Sequence, residues 1–412
     1  MPAAGSLMLV RSHRALLQRL HASGIQRDEV VIGPLAVPRF TGEFWTARQR
    51  QASRLHEISY RACFKPQLPR FFIEALTQPG ATVYDPFSGR GTTALEAGLL
   101  SRRPVANDVN PLSAILSRPR FSPPDPEALK ERLRAIPFRG GVRATQDLSM
   151  FFHRETEAEL ISLRRYLLRR ANAGTEDDLD RWIRMIATNR LTGHSKGFFS
   201  VYTLPPNQAV TPERQKLINR RLRQRPDYRD VRAIILRKTV SMLRGLTEEQ
   251  CRTLAAAEGT ARFLTGDARK THAIRRETVH LTVTSPPFLN IVDYASDNWL
   301  RCWFNGLDAA RISRHITIPH SLTEWTVVMS DVFRELVRIT ATGGWVAFEV
   351  GEVRNRSLRL DEIVAPLGVG AGFACRAILI NRQKFTKTSN IWGVTNNTRG
   401  TNSNRIVLFQ KD

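Results

Sequence analysis

The residues best suited to chemistry in this chain are Ser285, Pro286, Pro287 and Phe288, which directly follow the apolar run 279–284. The run predicts a strand. Proline fixes φ near −65° and has no N–H to donate, so the carbonyls of this turn are held rigidly outward. The Ser285 hydroxyl adds an acceptor and Phe288 adds a flat apolar face. This set is suited to gripping the exocyclic amine of a nucleobase while stacking on its ring, although an ordinary strand-ending turn could have the same composition.

The charge balance of the 412-residue chain points to a polyanionic partner. The net charge is +24 at pH 7, and 53 arginines stand beside only 9 lysines. Arginine suits phosphate and guanine contacts through its planar fork, and nucleic acid is the usual partner of so basic a protein. A ribosome-associated protein, or one that is merely rich in arginine, would show the same balance.

Cysteine usage and hydropathy exclude several classes. The four cysteines are scattered without a CxxC pair, so neither a zinc site nor a disulfide framework is expected, and we predict no metal. No apolar run approaches the roughly 18 residues that span a bilayer, so no membrane association is expected. We predict a cytoplasmic, nucleoid-associated protein. Residues 1–27 contain no acidic side chain, which is typical of a transit peptide but also of a basic nucleic-acid-binding arm.

The elements that must position these residues alternate along the chain. Segments 94–100, 324–339 and 360–367 have the composition of helices and lie between apolar runs typical of strands. Such alternation predicts an α/β fold with one doubly wound, seven-stranded sheet. The predicted strands are 81–84, 104–108, 261–267, 279–284, 344–350, 376–380 and 404–409.

Three acidic residues, Asp85, Asp108 and Asp267, lie at the ends of three successive strands and predict a nucleoside site. The loop 85–93 follows one strand and precedes a helix, and Gly89 and Gly91 let its backbone amides approach a ligand. Asp108 ends the next strand, where an acid accepts both hydroxyls of a ribose, and Asp267 could accept from an adenine amine. The loop is neither a phosphate-gripping P-loop nor G-x-G-x-x-G. The set therefore favours an adenosine ligand without a polyphosphate, although any one of these acids could be a helix cap.

Two motifs together resemble those of a known family. Residues 85–93, Asp-Pro-Phe-Ser-Gly-Arg-Gly-Thr-Thr, and 284–288, Thr-Ser-Pro-Pro-Phe, are similar to the motifs of the S-adenosylmethionine-dependent DNA amino-methyltransferases, which modify cytosine N4 or adenine N6. The resemblance implies a Rossmann-like methyltransferase sheet and S-adenosyl-L-methionine as cofactor. It assigns catalysis to Ser285, Pro286, Pro287 and Phe288, and cofactor binding to Tyr60, Lys65, Asp85, Phe87, Gly89, Gly91, Thr92, Asp108 and Asp267.

The serine at position 285 bears on the target base. Within the family the Ser-Pro-Pro form is typical of the cytosine-N4 branch, whereas the adenine branch usually has Asp or Asn in place of Ser285. The order of motifs departs from that of many cytosine-N4 enzymes, which are circularly permuted the other way. The long insertion before the third strand also lies elsewhere than in the familiar orders, so its role in target recognition rests on composition.

Composition divides the chain into three parts. We predict a basic N-terminal arm over 1–54, a methyltransferase domain over 55–114 and 259–412, and an inserted, mainly helical subdomain over 115–258 that recognises DNA. Residues 211–240 hold ten Lys or Arg against three Asp or Glu, although a solvated helical face would also be rich in charge. The predicted nucleic-acid-binding residues are Arg220, Arg221, Arg223, Arg225, Arg232, Lys387 and Asn390.

The resemblance implies direct transfer of a methyl group to the N4 amine of a cytosine flipped out of double-stranded DNA. Two alternatives within the enzyme class are an adenine-N6 DNA methyltransferase and an RNA amine methyltransferase. A non-catalytic, methyltransferase-like nucleic-acid-binding subunit is a third. A restriction endonuclease partner would have to be a separate polypeptide, because the predicted parts leave little length for a nuclease.

Overall fold

The computed structural model of the chain defines most of the predicted elements. It describes residues 16, 18–22, 24–45, 52–60, 63–203, 209–287, 297–317, 319, 321–350, 352–353, 358–382 and 403–412. Phe288 of the predicted catalytic loop and the predicted DNA contacts Lys387 and Asn390 lie outside the described residues.

One large mixed sheet forms the centre of the described structure. Its strands are β1 (Gln26–Ile32), β2 (Leu35–Gly42), β3 (Thr82–Asp85), β4 (Arg103–Asp108), β5 (Arg262–Thr265), β6 (Val279–Thr284), β7 (Thr340–Val350), β8 (Ala374–Arg382) and β9 (Ser403–Gln410). Their spatial order is β1-β2-β8-β9-β7-β6-β3-β4-β5. A separate two-residue ladder joins 352–353 to 358–359.

Thirteen α-helices are described. They are α1 (Gln67–Leu76), α2 (Thr92–Leu99), α3 (Leu112–Ser117), α4 (Pro126–Ala135), α5 (Arg154–Asn172), α6 (Asp178–Arg190), α7 (Pro212–Leu222), α8 (Val231–Leu243), α9 (Glu248–Glu258), α10 (Trp299–Phe304), α11 (Ala309–His315), α12 (Leu322–Ile339) and α13 (Leu360–Ala371). Short 3₁₀ turns cover Arg54–His56 and Arg118–Phe121.

The pairing of the strands defines where a ligand should bind. Strands β5, β4, β3, β6 and β7 are mutually parallel, whereas β9 runs antiparallel to both of its neighbours. The chain leaves β3 for β4 on one side and later returns to β6 on the other. This reversal creates a switch point between β3 and β6, and ligands of doubly wound sheets bind outside the carboxyl ends of the strands at such a point. All seven predicted strands and the predicted α/β fold class are confirmed.

The amino-terminal prediction needs a correction. Residues 26–42 are not a free basic arm, because β1 and β2 form an antiparallel hairpin and β2 pairs in parallel with β8. This hairpin extends the sheet beyond the seven strands predicted. The signal was the apolar run from Val30 to Val37, interrupted by Gly33 and Pro34, which is typical of two strands joined by a tight turn. Gly33 has φ +56°, a conformation that glycine adopts without strain.

The helices of the insertion share a core with the sheet. Trp182, Ile183 and Phe151 belong to one buried cluster together with Leu95 of α2 and Ala106 of β4. The insertion is therefore packed directly against one face of the sheet and not as a body with a separate core. Within the described residues, no helix combines the length and the apolar composition needed to cross a membrane.

Candidate active site

A cleft opens at the carboxyl ends of β3 to β6, as the switch point predicts. Its empty volume is about 940 Å³, counting the space open to solvent. Seven of the residues predicted from sequence line it together: Tyr60, Phe87, Gly89, Asp108, Asp267, Ser285 and Pro287. The cleft thus joins the predicted nucleoside site to the predicted catalytic turn.

Asp108 ties the loop after β3 to the end of β4. Its two carboxylate oxygens accept backbone N–H bonds, Oδ2 from Gly89 at 2.8 Å and Oδ1 from Asn110 at 2.9 Å. Burial raises the pKa of Asp108 to about 6, although both backbone bonds favour the charged form. Gly89 has φ +52°, and a Cβ there would lie 3.3 Å from Cε1 of Tyr60. A carboxylate has about four lone-pair sites, so Asp108 can still accept ribose hydroxyls.

Asp267 is already engaged by a neighbouring cation. Both of its oxygens accept from Arg269, at 3.0 Å from Nε and 2.6 Å from Nη2, and Arg269 also reaches the Thr317 hydroxyl. Burial alone would raise the pKa of Asp267, but the Arg269 guanidinium holds it below its ordinary value. Asp267 is therefore a charged acceptor at the cleft wall, which suits the predicted contact with an adenine amine.

The opposite wall of the cleft is apolar. Trp325, Val328, Met329 and Val332 of α12 line it at helical spacing. The indole Nε1–H of Trp325 donates to the carbonyl of Pro287 at 3.0 Å. This bond fixes the catalytic turn against the helix. It also means that one of the two proline carbonyls is occupied.

Asp85 does not line the cleft. It is 1 % exposed, and its Oδ1 accepts from the Thr284 hydroxyl at 2.7 Å and from the Phe87 N–H at 3.1 Å. Burial raises the pKa of Asp85 to about 6, while these bonds stabilise the charged form. We therefore assign Asp85 to holding the end of β3 against the catalytic turn, because it joins the two motifs directly.

Gly91, Thr92 and Lys65, also predicted to bind the cofactor, lie outside the cleft wall. Gly91 is needed for close packing, since a Cβ there would clash with the Ser117 hydroxyl oxygen, and its φ of +73° suits glycine. Thr92 is buried and accepts from Arg90 Nε at 3.3 Å. Lys65 is half-buried, and burial followed by the nearby Arg90 charge lowers its pKa.

Sequence reasoning missed the carboxyl group behind the catalytic turn. Glu349 lies near the end of β7, is only 7 % exposed, and accepts hydrogen bonds from the Ser285 hydroxyl and, at 2.8 Å, from Asn404 Nδ2. Burial raises its pKa above the ordinary range of a glutamate. Because the run 345–350 is otherwise apolar, a glutamate near its end was the available signal.

The predicted DNA-binding residues of the insertion separate into two groups. Arg220, Arg221, Arg223 and Arg225 are exposed on or just after α7. Arg232 is not available as predicted: its guanidinium stacks on Phe138 at 3.8 Å and donates to the carbonyls of Leu133 and Ile136. The prediction for Arg232 is therefore corrected to a packing role that joins α8 to the end of α4.

The chain is similar to known methyltransferases. Its cleft and its Ser-Pro-Pro turn lie at the edge of a doubly wound sheet, as the resemblance implied. The model of the N6/N4 DNA methylase family matches residues 28–115, which supports the predicted amino-methyltransferase family and S-adenosyl-L-methionine as the cofactor. The chain is 28% identical over 97 residues to the type II methyltransferase M.MvaI of Kocuria varians; the match covers 23% of this chain and 20% of that protein. The chain thus spans about a fifth of that curated relative.

Solved structures that match parts of the chain include several methyltransferases. A protein of Thermus thermophilus described as a DNA modification methylase, complexed with S-adenosyl-L-methionine, is 24% identical, with 35% of this chain and 53% of that chain covered and a TM-score of 0.22. The rRNA methyltransferase aviRa of Streptomyces viridochromogenes is 14% identical, with 87% and 89% covered and a TM-score of 0.34. In the described part of the chain, no group of three or more His, Cys, Asp or Glu could hold a metal ion.

Proposed function

We propose that the chain transfers a methyl group from S-adenosyl-L-methionine to the exocyclic N4 amine of a cytosine flipped out of duplex DNA. The observation that carries this proposal is a single cleft lined by Asp108, Asp267 and Ser285. The adenosine of the cofactor would lie between the two aspartates and the apolar face of α12. The methyl group would then face the catalytic turn.

The turn is suited to activating a weakly nucleophilic amine. The lone pair of an exocyclic amine is delocalised into the base, and hydrogen bonds from its two N–H groups favour a tetrahedral nitrogen with a free lone pair. The Ser285 hydroxyl donates its proton to a hydrogen bond with Glu349, so its lone pairs are left to accept from the amine. The Pro287 carbonyl already accepts one bond from Trp325, and we propose the Pro286 carbonyl as the second acceptor. Alignment with the methyl group would supply much of the rate.

Glu349 gives the reaction a destination for the proton. Methylation leaves the amine nitrogen positively charged, and one of its protons must leave. It would pass to Ser285 while the serine proton passes to Glu349, whose pKa burial has already raised. The N–CH₃ bond would form as the S–CH₃ bond of the sulfonium breaks, a neutral thioether would leave, and this proton shift would neutralise the nitrogen, so the step balances without a covalent enzyme intermediate.

The insertion reaches the wall of this cleft through Asn189. Asn189 at the end of α6 and Arg301 of α10 both donate to the Ser59 carbonyl, next to Tyr60 in the cleft wall. Extrusion of a base costs a few kcal/mol, which contacts by the basic insertion would offset. This arrangement supports assigning target recognition to the insertion.

The decisive experiment incubates the protein with unmethylated plasmid and S-adenosyl-L-methionine, digests the DNA to nucleosides and identifies the modified base by mass. We expect N4-methylcytosine, and loss of activity in Ser285→Ala and Phe288→Ala. N6-methyladenine would overturn the cytosine assignment and leave the amine chemistry standing. If added RNA were methylated and the DNA were not, RNA would be the substrate in place of DNA. Cofactor binding with no methylated nucleoside in either would refute an amine methyltransferase.

A further inference from the structure

Helix α7 of the insertion is exposed along most of its length. Of its eleven residues only Gln215 and Ile218 are buried. Gln215 Nε2 donates to the Tyr202 carbonyl at 3.0 Å, and Asn219 Nδ2 donates to the Met150 carbonyl at 2.8 Å. The helix is thus fixed along one side, and the rest of its circumference faces solvent.

The outward side of α7 carries three kinds of side chain in one stripe. Glu213, Leu217 and Arg220 have the i, i+4, i+7 spacing that places them on one face, away from Gln215 and Ile218. Leu217 is 53 % exposed although it is apolar. An acid can accept from cytosine N4, an apolar group can contact the thymine methyl, and arginine can bond guanine through two donors. The stripe therefore holds a partner for three different base edges.

The surroundings of the stripe are strongly basic. Residues 212–225 contain six Lys or Arg and one acid, Glu213. The six are Arg214, Lys216, Arg220, Arg221, Arg223 and Arg225. This charge complements two rows of phosphates on either side of a groove. The B-DNA major groove is wide enough to admit an α-helix.

Arg223, next to this surface, has an unusual backbone conformation. It ends α7 with φ +48° and ψ +40°, a left-handed conformation that glycine usually provides at this position. A non-glycine residue there is strained, so glycine at this position should stabilise the end of the helix.

The beginning of α7 is tied to the chain that follows the catalytic turn. The Ala209 N–H donates to the Asp297 carbonyl at 3.1 Å, and Trp299 Nε1 donates to the Val210 carbonyl at 3.2 Å. Arg301, two residues further along, stacks 6.0 Å from the ring of Tyr60 in the cleft wall. A duplex held by α7 would therefore be held in a fixed relation to the cleft.

We propose that α7 enters the major groove of the substrate duplex and determines which site is methylated, with Glu213, Leu217 and Arg220 contacting base edges and Arg221, Arg223 and Arg225 contacting phosphates. The inference rests on the proposed DNA methyltransferase function and adds to it the element that selects the sequence.

The test compares methylated sites across a random-sequence duplex library for wild type and Arg220→Gln, Arg220→Lys and Leu217→Ala. Loss of a bidentate guanine contact should relax one position of the site by roughly fivefold to a hundredfold. Arg220→Lys keeps the charge but not the fork, so it should relax the same position while keeping the salt dependence of binding. Wild-type discrimination in all three variants would overturn the proposal, as would a uniform loss across all sequences.

The phosphate contacts have a different signature. Arg223→Gly and Arg225→Gln should weaken binding equally at all sequences and each reduce the slope of log affinity against log salt by about 0.9. Arg223→Gly should also raise the melting temperature, since glycine relieves the left-handed strain. The control Arg275→Gln removes an exposed arginine near the amino end of β6 and should change neither readout. A wild-type protein that methylates no DNA would refute the proposed function itself, before any variant is compared.

Discussion

Replacing Glu349 by glutamine separates the chemistry of the site from its folding. Glutamine has nearly the same shape and keeps one acceptor oxygen for the donors Ser285 and Asn404, but it cannot take up the proton that methylation releases. A positioned general base contributes roughly 10²- to 10⁴-fold. We expect kcat to fall by that factor in Glu349→Gln, with little change in the dissociation constant of S-adenosyl-L-methionine, because Glu349 does not line the cleft.

The pH dependence has a definite sign. Burial raises the pKa of Glu349, so the folded protein keeps this proton at pH values where the unfolded chain has lost it. The stability that the group contributes is present below the unfolded pKa, near 4.3, and is lost as pH rises through the folded value. At pH 8 the buried charge therefore destabilises the wild type, and Glu349→Gln should melt at the same or a higher temperature. The rate of the wild type should rise with pH through the same interval.

The assays are single-turnover methylation from pH 5 to 9, calorimetric titration of the cofactor, and thermal melting. Glu335→Gln is the matched control: Glu335 is also buried, but it pairs with Arg338 at 2.6 Å and bonds the Thr271 N–H at 2.7 Å, away from the catalytic turn. Glu335→Gln should lower the melting temperature and leave the methylation rate unchanged. A Glu349→Gln rate within threefold of wild type at pH 8, or a loss of cofactor binding equal to the loss of rate, would refute the proposed proton path.

Three further predictions concern the cofactor side and the insertion. Asp108→Ala should weaken binding of S-adenosyl-L-methionine by about ten- to a hundredfold in calorimetry, because hydrogen bonds to charged groups contribute about 1.5–3 kcal/mol; unchanged affinity would remove Asp108 from the ribose site. Burial raises the pKa of Asp85 and Asp108 to about 6, so their contribution to the free energy of unfolding should fall as pH rises from about 4 to 7, and Asp85→Asn should flatten that fall in urea titrations. Arg232→Gln should lower the free energy of unfolding by about 1–3 kcal/mol, since it loses two carbonyl bonds and the stack on Phe138, and leave the salt dependence of DNA binding unchanged.

Local sequence signals located the strands and the cleft because the relevant constraints are local. Strand ends are marked by the change from apolar residues to Asp108 or Ser285, and parallel strands bring their carboxyl ends to one edge of the sheet. That rule alone places residues far apart in the chain around one cleft. The β1–β2 hairpin was also within reach of such reasoning, because its Gly-Pro turn interrupts an apolar run.

The roles of individual side chains depended on contacts between distant segments. Asp85 carries the sequence pattern of a ligand, yet its partner is Thr284, 199 residues away, and this pairing turns it inward. Arg232 lies in the same basic stretch as Arg220, but its neighbour Phe138 makes it part of the packing. The number of charged residues in a stretch of sequence does not distinguish an exposed arginine from a packed one, because burial depends on elements that meet only in the folded protein.

The sequence by itself predicted the class of chemistry, because a Gly-containing loop, the strand-end acids Asp108 and Asp267 and a Ser-Pro-Pro turn impose their geometry over a few residues each. Only the tertiary structure decided that Glu349 lies behind Ser285 and that α7 presents one stripe to solvent. Both facts arise from packing across the sheet and across the insertion, where hydrogen bonds and burial depend on residues that are far apart in the sequence.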